Sequence, residues 1–246
     1  MKLDVLAIGA HPDDVELGCG GTLALLARQG RQVGILHLTR GEQGTRGTAE
    51  ERRAEAEAAA RALGAVEMDF LDCGDGGLRN GPAEEDALIA KLRSWRPELV
   101  LGPTPRDRHP DHARAHELVD AACFYAGLRN RTPEAGSAHR PAAVFSYMQH
   151  DLFVPSFIVD VSAAWETKIE SLRAYRSQLH LGEKKEAEKE DNQPMTKVAS
   201  PEFWQAVEGR ARHFGLLIGA ALGEPFWSRG PLAVADPLAI LPGGIR

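Results

Sequence analysis

The fold is decided near the amino terminus by residues 3–14, which read LDVLAIGAHPDD. The first eight of these residues are mostly apolar, and a histidine and a proline follow them. A short apolar run that ends at such a point indicates a buried strand of a parallel sheet. The polar residues His11, Asp13 and Asp14 come directly afterwards. We therefore expect them at the carboxyl edge of the sheet, where open α/β sheets bind their ligands.

Beyond this stretch, the sequence alternates between strand and helix patterns. Further strands are predicted over residues 33–38, 66–71, 99–102, 142–147 and 157–161, and helices over residues 20–28, 48–64, 83–95, 162–179 and 200–222. A further helix is predicted to follow the loop at residues 109–112 and to end near Gly127. Thr48 and Glu51 have the spacing of a capping box at the start of the second helix. The alternation predicts a mostly parallel α/β sheet with helices on both faces and right-handed crossovers.

We interpret residues 1–246 as one domain, with a core of about residues 1–130 and a C-terminal elaboration of strands and helices over about residues 140–230. The chain has 246 residues, of which 43% are hydrophobic and 26% are charged, as expected for a globular protein. The segment 182–193 is rich in lysine and glutamate, which predicts a solvated face or a mobile loop.

The charge balance and the absence of targeting signals limit the possible partners. A net charge of −6 argues against a nucleic-acid partner, which usually needs a basic surface. The chain has no signal-peptide pattern and no apolar run of membrane-spanning length, so we expect a cytoplasmic protein that does not enter the membrane. Three scattered cysteines do not make a disulfide framework or a thiolate zinc site.

A second polar cluster, His109-Pro110-Asp111-His112, follows the strand predicted at residues 99–102. Its position is equivalent to that of the first cluster, so the two loops are expected to meet at one edge of the sheet. Together they supply three histidines and three aspartates, which is the inventory of a metal site with a general base. Two histidines and one carboxylate can hold a catalytic zinc ion, while a second carboxylate accepts a proton from water.

Other interpretations of the same residues remain open. Two histidines and a carboxylate can also bind Fe(II) for oxygen chemistry. A non-catalytic sugar-binding module is a third class, although a binding site has no need for a spare carboxylate beside the metal. The glycines of Gly18-Cys19-Gly20-Gly21 lack the spacing of a dinucleotide loop placed directly after the strand.

At its polar motifs, the chain resembles the LmbE-like (PIG-L) deacetylase family, whose fold is Rossmann-like. The matching motifs are Ala10-His11-Pro12-Asp13-Asp14, Gly18-Cys19-Gly20-Gly21-Thr22, Thr39-Arg40-Gly41-Glu42 and His109-Pro110-Asp111-His112. Three further stretches resemble the branch that deacetylates N-acetylglucosaminyl malate on the way to bacillithiol: Gly44-Thr45-Arg46-Gly47-Thr48, Arg106-Asp107-Arg108 and Ala174-Tyr175-Arg176-Ser177-Gln178. The mycothiol branch would have a tyrosine where this chain has Asp107, which counts against an inositol-bearing substrate.

The resemblance implies a metal centre and its catalytic groups. The residues that would bind Zn²⁺, with Fe²⁺ as the possible ion in the cell, are His11, Asp14 and His112. Asp13 would be the general base and then the proton donor to the leaving amine. His109 would stabilise the oxyanion as an imidazolium, and Asp111 would orient His109.

The resemblance also implies a substrate, an acetylated amino sugar. Arg53 would reach the sugar, and Asp75 would meet one of its hydroxyl groups. Arg108 and neighbouring arginines fall on strand-end loops or helix starts, where they could bind an anionic aglycone. The resulting hypothesis is zinc-dependent hydrolysis of N-acetylglucosaminyl malate to glucosaminyl malate and acetate by a homo-oligomer. Deacetylation of a chitobiose fragment or an antibiotic intermediate is the alternative within the same class.

Overall fold

The computed structural model describes residues 2–179 and 196–234. The charged segment 182–193 and the tail beyond residue 234 lie outside the described residues, so the expectation for that segment remains a prediction. Within the described ranges, no helix is long and apolar enough to cross a membrane.

The described residues form one seven-stranded sheet. Its strands are β1 (Val5–Gly9), β2 (Val33–His37), β3 (Glu67–Phe70), β4 (Leu99–Gly102), β5 (Ala143–Tyr147), β6 (Phe157–Asp160) and β7 (Gly223–Trp227). The order across the sheet is β3-β2-β1-β4-β5-β7-β6. The pairings from β3 to β5 are parallel, and β7 lies antiparallel between β5 and β6. The sequence prediction of a mostly parallel α/β sheet is thereby confirmed.

Helices cover both faces of the sheet. They are α1 (Asp14–Arg28), α2 (Ala49–Leu63), α3 (Pro82–Trp95), α4 (Pro110–Ala126), α5 (Trp165–Arg173) and α6 (Pro201–Leu217). Helices α1, α2 and α5 pack together, and α3 packs against α4. Side chains alternate along β1: Leu6 and Ile8 join the core beneath α3 and α4, while Val5 and Ala7 join the core beneath α1. The capping box of Thr48 and Glu51 is present at the start of α2.

The C-terminal elaboration differs most from the sequence prediction. The helix expected over residues 162–179 is a short 3₁₀ turn followed by α5, which ends at Arg173. Strand β7 was not predicted, because Pro225 interrupts its pattern and proline is rare inside sheets. Pro225 is tolerated because β5 pairs only with Phe226 and Trp227, so the proline lies beyond the end of that neighbour.

Helix α1 is broken at Cys19, whose φ of −143° and ψ of 18° are not helical. The break leaves the backbone N–H groups of Gly21 and Thr22 without carbonyl partners in the preceding turn. The carboxylate of Glu224 in β7 accepts hydrogen bonds from both, at 2.9 and 2.7 Å. The second half of α1 is therefore capped by a residue that lies 203 positions from Gly21 in the chain.

A buried lysine also contacts the backbone at the break in α1. The Nζ of Lys168 in α5 donates to the carbonyl oxygen of Leu17 at 2.9 Å and to Glu224 at 2.6 Å. Both side chains of this ion pair are only 3% exposed. Removing either partner would leave an unpaired charge in the interior, which is among the most destabilising of changes. Side chains from the C-terminal elaboration thus form hydrogen bonds with the backbone of α1.

Candidate active site

The two His-Pro-Asp clusters meet where the direction of strand connections reverses. The chain moves from β1 to β2 and β3 on one side, and from β4 to β5 on the other. The first cluster follows β1 and the second follows β4, and these two strands are neighbours. A crevice at such a switch point is the usual ligand site of an open α/β sheet. The structure therefore brings together the polar residues that are separated by about a hundred positions in the sequence.

Asp14 lies between His11 and His112. His11 Nδ1 lies 3.4 Å from one oxygen of Asp14, and His112 Nε2 lies 3.3 Å from the other. Two ligands of one tetrahedral zinc ion, each about 2.0 Å from it, lie roughly 3.3 Å apart. Both contacts of Asp14 thus have a separation that suits two zinc ligands, and two imidazoles with one carboxylate are donors that zinc accepts.

Carboxylates lie near the opposite ring nitrogens of both histidines. His11 Nε2 is 3.0 Å from Asp75 Oδ1 and forms a hydrogen bond with Asp111 Oδ2 at 3.4 Å, and His112 Nδ1 is at ion-pair distance, 3.2 Å, from Asp107 Oδ1. Histidine ligands of metals usually donate their other ring N–H to a carboxylate, which fixes the tautomer and the ring orientation. The arrangement turns Nδ1 of His11 and Nε2 of His112 towards Asp14. His109 lies close by, since donor atoms of His11, His109 and His112 fall within 4.8 Å of one another.

Asp13 is a buried carboxylate held by a strained backbone. Its φ of 95° is in the left-handed region, where few residues other than glycine are found. It occupies the N-cap position of α1, but its side chain makes no capping hydrogen bond. Burial raises the pKa of its carboxyl to about 7, although the charge of Arg52 opposes the rise. The result is a buried carboxylate beside the candidate ligands whose pKa is close to neutral pH.

Asp14 has the opposite electrostatic character. Burial alone would raise its pKa, but the charges of His112 and His11 outweigh burial and hold the pKa well below its ordinary value. The backbone N–H of His11 and the Nε2 amide of Gln149 also donate to its oxygens, at 2.8 and 2.5 Å. Adjacent aspartates thus divide into a carboxylate that stays charged and one that can exchange a proton.

The structure gives His109 and Asp111 a different relation from the one expected. The carboxylate of Asp111 lies 3.4 Å from His11 Nε2 and accepts hydrogen bonds from the backbone N–H of Gly76 and from Arg114. His109 Nδ1 instead accepts from the backbone N–H of Asp111 at 3.3 Å. Burial, with the charges of His11 and His112, lowers the pKa of His109. With Nδ1 as the acceptor, Nε2 is the nitrogen of His109 that can carry a hydrogen.

Arg53, which was expected to reach the sugar, has an exposed side chain, whereas its neighbour Arg52 lies beside Asp13. The Arg53 side chain is 61% exposed, pairs with Glu57 and lies over Phe70. Arg52 is buried, because α2 turns it inward, and a guanidinium nitrogen lies 3.9 Å from Asp13 Oδ2.

Arg52 also fastens the first cluster to the neighbouring loop. It donates to the carbonyl oxygens of Pro12 and Gly41. A side chain at Gly41 would place its Cβ inside the van der Waals radius of the Arg52 guanidinium, so the glycine is required there.

The two other residues expected to contact substrate have different settings. Arg108 is exposed on the loop after β4, and its charge adds to burial in lowering the pKa of His150 to about 4. Asp75 lies beside the His11 ring, as described above.

Sequence reasoning missed three residues at this edge. Asp107 was considered only as a branch marker, yet it holds His112. Gln149 and His150 follow β5 and reach the centre: Gln149 contacts Asp14, and the His150 ring stacks on His112 with centroids 5.7 Å apart. The strand-end rule that found the first two clusters would also have found this third loop, because β5 is the neighbour of β4.

Comparison with known proteins identifies a family. The family model "PIG-L: GlcNAc-PI de-N-acetylase" matches residues 6–123, which include both clusters. The chain is 35% identical to the diacetylchitobiose deacetylase of Thermococcus kodakarensis over 188 residues, covering 71% of this chain and 69% of that protein. It is 30% identical to the 4-oxalmesaconate hydratase of Pseudomonas putida, covering 72% of this chain and 75% of that protein.

The fold is likewise similar to a solved structure, that of the conserved protein TT1542 from Thermus thermophilus. The TM-score is 0.84 at 39% identity, over 96% of this chain and 98% of that one. The family resemblance noted in the sequence is confirmed, and the chain belongs to the PIG-L (LmbE-like) deacetylase family.

Proposed function

We propose that this protein is a cytoplasmic zinc-dependent hydrolase that removes the acetyl group from N-acetylglucosaminyl malate. The observation that carries the proposal is the pairing of two kinds of group at one sheet edge. His11 and His112 each lie within 3.4 Å of an oxygen of Asp14, and the buried carboxylate of Asp13, which makes no capping hydrogen bond, is next to Asp14 in the chain. A metal site with a free base beside it is the arrangement that amide hydrolysis needs.

The chain's own residues would perform the proton transfers. When bound by this donor set, a zinc ion supplies Lewis acidity and lowers the pKa of a coordinated water to about 7. Asp13 accepts a proton from the attacking water and returns it to the nitrogen of the leaving amine. The C–N bond of the amide breaks, and the products are acetate and the free amino sugar.

His109 would stabilise the oxyanion rather than transfer a proton. With Nδ1 accepting from the backbone of Asp111, its Nε2 carries the hydrogen and can donate to the developing negative oxygen. A neutral donor of this kind needs no nearby carboxylate, which is consistent with the Asp111 carboxylate facing His11.

An anionic aglycone is supported by the loop between β4 and α4. Arg106 and Arg108 are exposed there, and neither has a carboxylate partner within ion-pair distance among residues 2–179 and 196–234. Arginine recognises carboxylates with two parallel hydrogen bonds. Malate would present two such groups, whereas chitobiose presents none.

The test is an acetate-release assay on three substrates: N-acetylglucosaminyl malate, free N-acetylglucosamine and diacetylchitobiose. We expect the malate conjugate to have the highest kcat/KM, and Arg106→Ala with Arg108→Ala to remove that preference while leaving the slow rate on N-acetylglucosamine unchanged. Equal rates on all three substrates would reject the malate aglycone. Acetate release by chelator-treated protein would reject the dependence on metal.

Hydration of a carbon–carbon double bond is a second candidate, because the 4-oxalmesaconate hydratase of Pseudomonas putida is 30% identical to this chain. Such a reaction can also use a base that activates water, and the substrate that this relative's name gives is anionic. Loss of alkene absorbance without acetate release would favour it. Elemental analysis and a test of oxygen dependence address the remaining alternative, an Fe(II) enzyme.

A further inference from the structure

Gln149 is a buried amide in the loop after β5, and it contacts the candidate ligand Asp14. The residue is only 3% exposed. Its Nε2 donates a hydrogen bond to Asp14 Oδ1 at 2.5 Å. This loop follows the strand next to β4, so it lies at the same sheet edge as the two His-Pro-Asp clusters. Gln149 therefore reaches the candidate metal centre from outside both clusters.

The two carboxylate oxygens of Asp14 have similar surroundings. Oδ2 accepts the backbone N–H of His11 at 2.8 Å and lies 3.4 Å from the ring nitrogen Nδ1 of the same residue. Oδ1 accepts from Gln149 and lies 3.3 Å from His112 Nε2. Because a carboxylate oxygen has two lone pairs, one remains on each oxygen for a metal. The carboxylate cannot rotate without losing one of the two hydrogen bonds.

Asp107 fixes the loop that carries Gln149. Its Oδ2 accepts the backbone N–H groups of His150 and Asp151 at 3.0 and 3.5 Å. Its Oδ1 accepts the backbone N–H of His109 at 3.2 Å. The peptides that follow Gln149 are thereby fastened to the loop of the second cluster, which places the amide beside the candidate ligands.

The oxygen of the Gln149 amide makes no hydrogen bond. Oε1 is buried and has no hydrogen-bond partner among residues 2–179 and 196–234. A buried acceptor without a partner opposes folding, so packing alone would favour an apolar side chain of the same size at this position. Turning the amide over would bring its oxygen against the Asp14 carboxylate, which would repel it. What the glutamine adds to such an apolar side chain is the N–H group directed at Asp14.

We infer that Gln149 is a positioning residue for the candidate metal ligand Asp14, and that its amide fixes the plane in which the two Asp14 oxygens approach His11 and His112. The inference rests on the metal centre of the proposed function. A hydrogen bond to a metal-binding carboxylate orients it for the ion. Gln149 would thus affect how tightly the metal is held without touching the metal or the substrate.

The test is Gln149→Met, which keeps the length of the side chain and removes the donor. We expect zinc affinity, measured by competition with a chromogenic chelator, to fall by about 10–100-fold, the range found for groups that hydrogen-bond to metal ligands. The visible absorption of the cobalt-substituted protein should change, because Asp14 is free to rotate. At saturating zinc, kcat should fall while KM for the acetylated substrate stays nearly constant.

Gln178→Met is the matched control. Gln178 is 7% exposed, and its Nε2 donates to the carbonyl oxygen of Arg46 at 2.6 Å. The substitution therefore removes a similarly buried amide hydrogen bond that does not involve Asp14. We expect its melting temperature to fall, while its zinc affinity and cobalt spectrum equal those of the parent protein.

Opposite results separate the two levels of the proposal. If the parent protein binds zinc and Gln149→Met keeps both zinc affinity and the cobalt spectrum, the inference is wrong: a raised KM would then make Gln149 a substrate contact, and a lower melting temperature alone would make it a packing residue. An equal loss of zinc affinity in Gln178→Met would also reject it. If the parent protein binds no zinc, the proposed metal centre itself fails.

Discussion

The clusters at residues 11–14 and 109–112 share the letters His-Pro-Asp, yet the helix after each begins at a different place in the motif. In the first cluster the N-cap is Asp13, the third residue, and α1 begins at Asp14. In the second cluster the N-cap is His109, the first residue, and α4 begins at Pro110. The fourth residue of both clusters still points to the same place, since Asp14 and His112 approach within 3.3 Å.

The two-residue difference gives the shared aspartate two different roles. Asp13 is outside its helix in the left-handed region, and its carboxylate is not used for capping. Asp111 is inside its helix, and its backbone N–H is capped by His109 while its carboxylate is fixed by Gly76 and Arg114. The same residue type is therefore a free base in one cluster and part of the scaffold in the other. The residue at which each helix begins, and not the motif itself, determines the role of the aspartate.

The largest expected effect comes from the fourth residue of either cluster. His112→Ala and Asp14→Ala should both lose stoichiometric zinc and all detectable acetate release, because each removes one of three protein ligands. Elemental analysis of the purified variants measures the first outcome. A His112 variant that kept one zinc per chain would remove that residue from the ligand set and favour His109 in its place.

The next effect separates the two aspartates. Asp13→Asn should lower kcat by about 10³-fold, within the range for a general base, while zinc content stays near one per chain. Asp111→Asn should lower activity far less, because its carboxylate does not exchange a proton in the proposed reaction. Equal losses of activity in the two variants would contradict different roles for Asp13 and Asp111.

A somewhat smaller effect is expected from the N-cap of the second cluster. His109→Gln removes the imidazole donor, and loss of one oxyanion donor typically costs about 10²–10³-fold in kcat. Zinc content should be unchanged, in contrast to His112→Ala. Loss of the metal together with activity would instead place His109 among the ligands.

The smallest effect concerns stability and the strained backbone of Asp13. Asparagine tolerates the left-handed region and alanine does not, so Asp13→Ala should be less stable than Asp13→Asn by about 1 kcal/mol. In a chain of this size the difference corresponds to a melting temperature lower by about 2–4 °C. Identical melting curves for the two metal-free variants would contradict the strain.

The sequence predicted the parts of the fold that depend on local pattern. Strand-helix alternation and the capping box at Thr48 gave the parallel sheet and α2, because both are properties of neighbouring residues. Strand β7 was missed because its place in the sheet depends on β6, which lies some 65 residues earlier, and because Pro225 breaks its pattern. The end of α5 at Arg173 was also missed, since the apolar stripe continues to Tyr175.

The sequence predicted which residues lie at the site better than it predicted which of them contact one another. Placing two clusters at strand ends sufficed to bring the candidate ligands together, because β1 and β4 are adjacent. Which of Arg52 and Arg53 turns inward depends on the rotation of α2, because consecutive residues of a helix lie about 100° apart around its axis. The partner of Asp111 depends on where α4 begins within its motif, which no pattern in the motif reveals.

Because of the break in α1 at Cys19, we expect the order in which the chain is synthesised to affect the order in which it folds. The strands and loops that bear both clusters precede residue 113, but the groups that satisfy the broken helix, Lys168 and Glu224, are made much later. Until they arrive, a growing chain has exposed N–H and carbonyl groups in the middle of its first helix. We expect the amino-terminal half to remain loosely packed on the ribosome and to close only when β7 enters the sheet.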